Sequence, residues 1–235
     1  FGFASRFTEL LVEKVVRLGS SSRLVARKHV EPEYRNPEAD SKFELSRPEC
    51  IAIGASTGGI PVIYDIVRNL PAELNCPVFI AQHLPDAFME FFARQLSAQT
   101  DRTVCVPKPG AEIRERTIYI SPGSAHLTCG QSGRRRKIEH LDHYAGSRYS
   151  PSVDALFESV AKVYGAGALA VVLSGMGNDG AAGAVHLSAA GANIIVQDAE
   201  SSVVWGMPGA VAKAGLADAI LPPALMTRLL ARAVK

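Results

Sequence analysis

The sequence predicts an α/β protein built on a doubly wound, mostly parallel sheet, with helices on both faces and a small antiparallel hairpin insertion around 103–143. Three observations predict it. Beyond Pro48, short apolar runs alternate with helix-period segments, the rhythm of strands joined by helical crossovers. Runs such as Ala168-Leu169-Ala170-Val171-Val172-Leu173 are apolar at every position, as strands covered on both faces require. The rhythm lapses over 103–143, where Pro109-Gly110, Pro122-Gly123 and Ser132-Gly133 separate short strand-like pieces, a hairpin pattern.

In chain order, residues 3–18 read first as an amphipathic helix. Phe7, Leu11, Val15 and Leu18 share one face, with Glu9, Glu13 and Arg17 on another. Gly19-Ser20-Ser21-Ser22 ends it. The charged stretch from Arg23 to Pro48, with Pro32 and Pro37 inside it, reads as a linker. The helix suits docking onto a separate domain or onto the chain's own body, and its pattern does not choose between them. Ile51-Ala52-Ile53 predicts the first strand and Ile60–Leu70 the helix after it. Val78–Ala81 predicts the second strand, followed by a helix over Asp86–Ala98. Val104–Val106, Ile118–Ile120, Ala125–Leu127 and Lys137–Glu139 are expected in the antiparallel insertion. Ser150-Pro151 predicts a helix start, with serine as N-cap and proline at the first helical position, running to about Tyr164. Strands over Ala168–Leu173, Asn193–Val196 and Ala219–Leu221 then alternate with helices over Ala181–Ala190, Gly206–Ala214 and Ala224–Val234.

Composition narrows the function. The 235 residues are 47% hydrophobic, enough for a globular core. The 25 basic and 23 acidic residues nearly balance, which gives no reason to expect a nucleic-acid partner. No apolar run approaches the ~18 residues of a membrane span, and the charged opening does not resemble a secretory signal. Cys50, Cys76, Cys105 and Cys129 form no CxxC pair, so neither a zinc site nor a redox motif is expected. Cys50 and Cys76 flank apolar runs and read as buried thiols. A reducing cytoplasm fits this cysteine usage.

Ligands of open α/β sheets bind beyond the carboxyl ends of the strands. Three predicted strands end in Gly54-Ala55-Ser56-Thr57-Gly58-Gly59, in Gln82-His83-Leu84-Pro85 and in Ser174-Gly175-Met176-Gly177-Asn178-Asp179-Gly180. They bring a serine, a histidine and an aspartate to one edge of one sheet, the parts of an acyl-transfer triad. Gly54-x-Ser56-x-Gly58 has the spacing of a nucleophile elbow. A serine hydroxyl needs a base such as His83, and the base needs Asp179 to fix its tautomer. Taken singly, the glycine-rich turn also fits a phosphate cradle, a strand-end histidine fits a structural role, and Asp179 fits a turn former. Joint placement favours the triad. His29, His126, His140, His143 and His186 lie in the linker, the insertion or a helix and are weaker candidates.

A rival reading comes from the third loop. Gly175-Met176-Gly177-Asn178-Asp179-Gly180 fits G-x-G-x-x-G, and Asp198 follows about 20 residues on, where a ribose-binding acid of a dinucleotide enzyme would sit. Asp179 counts against it, because a carboxylate inside the loop would repel a pyrophosphate. Spacing alone leaves both readings standing.

Together, Gly54-Ala-Ser-Thr-Gly-Gly59, Gln82-His83-Leu-Pro85, Ile120-Ser-Pro-Gly123, Pro151-Ser-Val-Asp154, Gly175-Met-Gly-Asn-Asp-Gly180 and Gly206-Met-Pro208 resemble, in order and rough spacing, the catalytic domain of the CheB protein-glutamate methylesterases of bacterial chemotaxis. The resemblance covers about residues 48–233. It implies hydrolysis of glutamyl methyl esters on the cytoplasmic helices of methyl-accepting chemoreceptors, glutamine deamidation at the same site, and no metal or organic cofactor. It implies Ser56 as nucleophile, His83 as base, Asp179 as the base's partner, and Thr57 and Met176 beside the oxyanion and substrate. Residues 48–235 are then the catalytic domain. Residues 1–47 resemble the end of a regulatory receiver domain and its linker, and that domain would be a partner N-terminal to this chain. No nucleic acid and no membrane insertion are implied. Arg134-Arg135-Arg136-Lys137 reads as a solvated hairpin tip or as a contact for acidic receptor helices.

Overall fold

The computed structural model describes residues 45–233. The expected helix over 3–18 and most of the expected linker lie outside the described residues. In chain order the elements are β1 (Cys50–Ala55), α1 (Ile60–Arg68), β2 (Val78–Gln82), α2 (Asp86–Ser97), β3 (Thr103–Cys105), β4 (Thr117–Ile120), β5 (His126–Ser132), β6 (Arg135–Leu141), α3 (Val153–Tyr164), β7 (Ala168–Val172), α4 (Ala181–Ala189), β8 (Asn193–Gln197), α5 (Met207–Lys213), β9 (Ala219–Leu221) and α6 (Pro223–Arg232).

Seven strands form one sheet in the order β3-β4-β2-β1-β7-β8-β9, and every pair in it is parallel. β5 and β6 form a separate antiparallel hairpin. The fold class is therefore the expected one, with a narrower insertion. Val104 and Ile118, expected among the antiparallel pieces, pair parallel to each other within the main sheet. Their runs are too short to reveal strand direction, which the crossover through 106–116 decides.

Side-chain alternation sorts the core into two layers. Ile51, Ile53, Val78, Ile80, Leu169 and Val171 face α1, α2 and α6, burying Ile63, Ile66, Phe92, Leu96, Met226 and Leu230 with them. Ala52, Phe79, Ala81, Ala170, Val172, Ile194 and Val196 face the other way, onto Leu156, Phe157, Val160, Leu187, Met207, Val211 and the hairpin residues Leu127 and Ile138. This double coverage explains the strands' continuous apolar runs.

Small residues on the second face let α3 sit close. A Cβ on Gly54 would overlap the Val153 side chain. The amino end of α3 is thereby pressed against the carboxyl end of β1. Its N-cap is Ser152, whose hydroxyl accepts from the Ala155 N–H at 3.3 Å. The expected cap was Ser150; the helix starts two residues later, where the Ser152 hydroxyl is placed to accept from the Ala155 N–H and to donate to Asp179.

Candidate active site

The chain winds away from β1 in both directions, through β2 on one side and β7 on the other. The crevice beyond their carboxyl ends is the topological switch point, the usual ligand position in such sheets. Ser56 follows β1, His83 follows β2, and the loop carrying Asp179 follows β7. β1 and β2 pair through Ala55 and Gln82, so residues 56 and 83 lie at the same level. The ladder continues past the strands: the His83 N–H donates to Ala55 O at 3.0 Å and the Ser56 N–H to Ser174 O at 3.1 Å.

His83 and Asp179 meet directly. His83 Nε2 lies 2.7 Å from Asp179 Oδ2, and their side chains are 11% and 1% exposed. The carboxylate also accepts from the Val153 N–H at 2.7 Å, the Asp154 N–H at 3.0 Å and the Ser152 hydroxyl at 3.2 Å. These are free donors of a helix N-terminus, where a negative charge is favoured. Burial pushes the Asp179 pKa up, but the hydrogen bonds from His83, Val153 and Asp154 outweigh it and hold the carboxyl below the ordinary aspartate range. Asp179 is thus ionised and fixed at neutral pH.

Ser56 is half-buried on the tight turn between β1 and α1. Gln82, 2% exposed, donates to Ser56 O at 3.0 Å, and the Gly59 N–H donates to the same oxygen at 3.1 Å. Gly58 has φ +85°, and a Cβ on Gly175 would lie 2.8 Å from Ser56 Cβ, so both glycines are required for the loops to close around the serine. Among the described residues, no hydrogen bond joins the Ser56 hydroxyl to the His83 ring, and Nδ1 is the ring nitrogen left without a partner. Thr57 is exposed and Met176 is 69% exposed; among the described residues neither backbone N–H donates to a protein group. Val203, 71% exposed, packs against Gly58 at the same rim.

The geometry answers the dinucleotide reading. The N–H groups of Gly180 and Gly183, at the start of α4, donate to Asp154 Oδ1 at 2.9 and 2.7 Å. A carboxylate already occupies the place a pyrophosphate would take. Asp198 is 7% exposed and turned onto its own loop, accepting from the Ser201 N–H at 3.1 Å and from the Ser201 hydroxyl.

Among the described residues, none of the other histidines hydrogen-bonds Ser56, His83 or Asp179. His126 is buried; its Nδ1 accepts from the Ser152 N–H at 3.0 Å, and burial lowers its pKa. His140 lies on the hairpin, and His143 and His186 are exposed. His29 lies outside the described residues. Burial pushes the Cys76 and Cys129 thiols up to about 11 and about 12, making them inert. In the basic run, Arg136 pairs with Glu49 at 2.9 Å and stacks over Tyr164, and Lys137 pairs with Glu139 at 3.1 Å. Arg136 is therefore tied near the amino end of β1, at the rim opposite Ser56.

Three contributors escape a reading of the sequence. Tyr149 stacks flat on His83, with centroids 4.5 Å apart and planes 5° from parallel. It sits in an irregular loop with no periodicity to mark it. Asp154 belongs to a recognisable block, but its partnership with the 180–183 backbone is a tertiary fact. Gln82 carried a usable signal as an amide closing an apolar strand, a feature that Gln197 at the end of β8 shares.

The CheB methylesterase family model matches residues 51–230. The chain belongs to the CheB methylesterase family. It is 42% identical over 191 residues to a protein-glutamate methylesterase/protein-glutamine glutaminase of Saccharophagus degradans, covering 81% of this chain and 52% of that protein. It is 38% identical over 224 residues to one of Caulobacter vibrioides, covering 94% and 64%. The chain thus spans about half to two thirds of the length of these curated relatives. The crystal structure of the Thermotoga maritima CheB methylesterase catalytic domain superposes with a TM-score of 0.75 at 31% identity, over 80% of this chain and 99% of that one. Among the described residues no helix is long and apolar enough to cross a membrane, and no group of three or more His, Cys, Asp or Glu side chains could hold a metal ion.

Proposed function

We propose that the chain hydrolyses methyl esters of glutamyl side chains on the cytoplasmic helices of chemoreceptors, releasing methanol, and deamidates glutamines at the same site. Ser56 is the nucleophile, His83 the base and Asp179 its orienting acid. The short His83–Asp179 hydrogen bond carries this reading: a buried, ionised carboxylate with one imidazole to orient. Because Nε2 faces Asp179, Nε2 carries the proton and the Nδ1 lone pair is the base.

Rotation of the Ser56 side chain presents its hydroxyl to Nδ1. The oxygen attacks the side-chain carbonyl carbon while its proton passes to Nδ1. The Thr57 and Met176 N–H groups, free of acceptors among the described residues, and the adjoining start of α1 receive the oxyanion. Collapse expels the methoxy group, which takes the Nδ1 proton and leaves as methanol. Water, deprotonated by Nδ1, then attacks the acyl-serine and the proton returns to Ser56, leaving glutamate. An amide substrate releases ammonia in place of methanol. The cytoplasm is the compartment of this chemistry. A receiver domain N-terminal to this chain is the partner that would regulate it, and the greater length of the relatives leaves room for one.

The test is methanol release from methylated receptor membranes. Ser56→Ala is expected to abolish it with an unchanged circular-dichroism spectrum, and Asp179→Asn to reduce it less, since orientation is damaged and the nucleophile is kept. A fully active Ser56→Ala protein would end the assignment.

A further inference from the structure

We propose that Tyr149 is a positioning residue for this reaction: its ring holds the His83 imidazole in the plane where Nε2 meets Asp179 and Nδ1 meets Ser56. The inference rests on the triad reading above. One hydrogen bond, at Nε2, locates one ring atom of His83. It leaves the imidazole able to swing about its Cβ–Cγ bond, a torsion with a broad intrinsic profile. The flat stack at 4.5 Å and 5° removes that freedom.

The surroundings of Tyr149 are built around this contact. Its phenol end lies over Gly177, where any Cβ would overlap the hydroxyl and sit 3.1 Å from Cζ; Gly177 also has φ +91°. The absence of a side chain there makes the room for the ring. The Tyr149 backbone is pinned on both sides: its N–H donates to Ser147 Oγ at 3.1 Å and its carbonyl accepts from the same hydroxyl at 3.0 Å. The next residue, Ser150, donates from its hydroxyl to Gly123 O at 2.9 Å. Three residues after Tyr149 the same strand of chain begins to clasp Asp179, through Ser152, Val153 and Asp154. Residues 147–154 therefore form one strap. Its first half covers the imidazole face and its second half aims the carboxylate. The strap also shields the pair from water, which strengthens the bond between them.

The experiment compares Tyr149→Phe, Tyr149→Leu and Tyr149→Ala in the full chain, with His83→Ala as reference. Two rates are read: methanol release from methylated receptor, resolved into kcat and KM, and covalent labelling of Ser56 by a fluorophosphonate, which needs no receptor. Tyr149→Phe keeps the flat face and is expected to stay within about twofold on both. Tyr149→Leu fills the volume without the face, and with Tyr149→Ala is expected to lose about tenfold in kcat and in labelling rate at unchanged KM. Wild-type labelling by the leucine and alanine variants, with His83→Ala unreactive, overturns the role of Tyr149 and leaves the triad standing. A phenylalanine variant as slow as alanine overturns it too, assigning the effect to the hydroxyl. A change confined to KM makes Tyr149 a substrate contact instead. Wild-type labelling of His83→Ala sinks the triad reading itself.

Discussion

Replacing Asp154 by asparagine should stabilise the protein at neutral and alkaline pH while leaving it unchanged in acid. Asp154 accepts the Gly180 and Gly183 N–H groups on Oδ1, and its carboxyl lies against that of Asp179. Burial raises its pKa from 3.8 to about 6; the Asp179 charge and hydrogen bond add to the rise, and the two glycine N–H groups resist it. A carboxyl raised on folding contributes stability that is fully present below 3.8 and lost as pH climbs through about 6. A rise of that size corresponds to about 3 kcal/mol. Partial solvent contact screens it, leaving about 1–2 kcal/mol. Asparagine keeps the carbonyl acceptor for both glycines and offers Asp179 an N–H in place of a second negative charge. Urea denaturation of both proteins from pH 4 to 8 is the assay. The difference between them cancels the titrating groups that Asp154 does not touch; Asp179, which it does touch, has a lowered pKa, and its own loss of stability falls below this window. Equal stabilities at pH 8, or a difference that does not grow between pH 4 and 6, would refute the reasoning.

Gly175→Ala should reduce methanol release by at least tenfold and cost about 1–3 kcal/mol, because its Cβ would crowd Met207 and Ser56 Cβ; wild-type turnover by the alanine variant would show that the two loops part freely. Phe157→Ala, at a fully buried position under α4, should cost about 3–5 kcal/mol in urea denaturation; a loss below about 1 kcal/mol would mean the core closes over the gap.

The fold was legible where one physical rule decides an element. Strands buried on both faces must be apolar throughout, and β1, β2, β7 and β8 could be read from that alone. The direction of β3 and β4 could not, because three or four residues look the same running either way and the neighbouring strand is chosen by the path of a loop. The helix over 153–164 was visible from its apolar spacing, but its start was not, because Ser150 and Ser152 are both serines able to cap and only the tertiary contacts of Ser152 choose between them. That Ser56, His83 and Asp179 share one edge of the sheet was legible, because each lies in a loop that leaves the carboxyl end of a parallel strand, and those ends converge. Tyr149 and Asp154 were not, because they act from a loop and a helix start whose positions are set by what they touch.

The ladder also says how much of the chemistry the backbone supplies. Ser56 and His83 stand one residue beyond a paired position of adjacent strands, and each main-chain N–H is bonded onward into the sheet. Their Cα positions are therefore as fixed as the core beneath them, leaving one side-chain torsion in the serine and two in the histidine to set how the side chains meet. The serine side chain has room to turn because Gly175 carries no Cβ beside it. The imidazole is gripped at one nitrogen by Asp179 and across one face by Tyr149. Both grips belong to chain segments anchored at the amino end of α3, which the missing side chain of Gly54 allows against β1. A Cβ at Gly54 should accordingly act at a distance, pushing α3 outward and loosening the Asp179 clasp before it disturbs Ser56 itself.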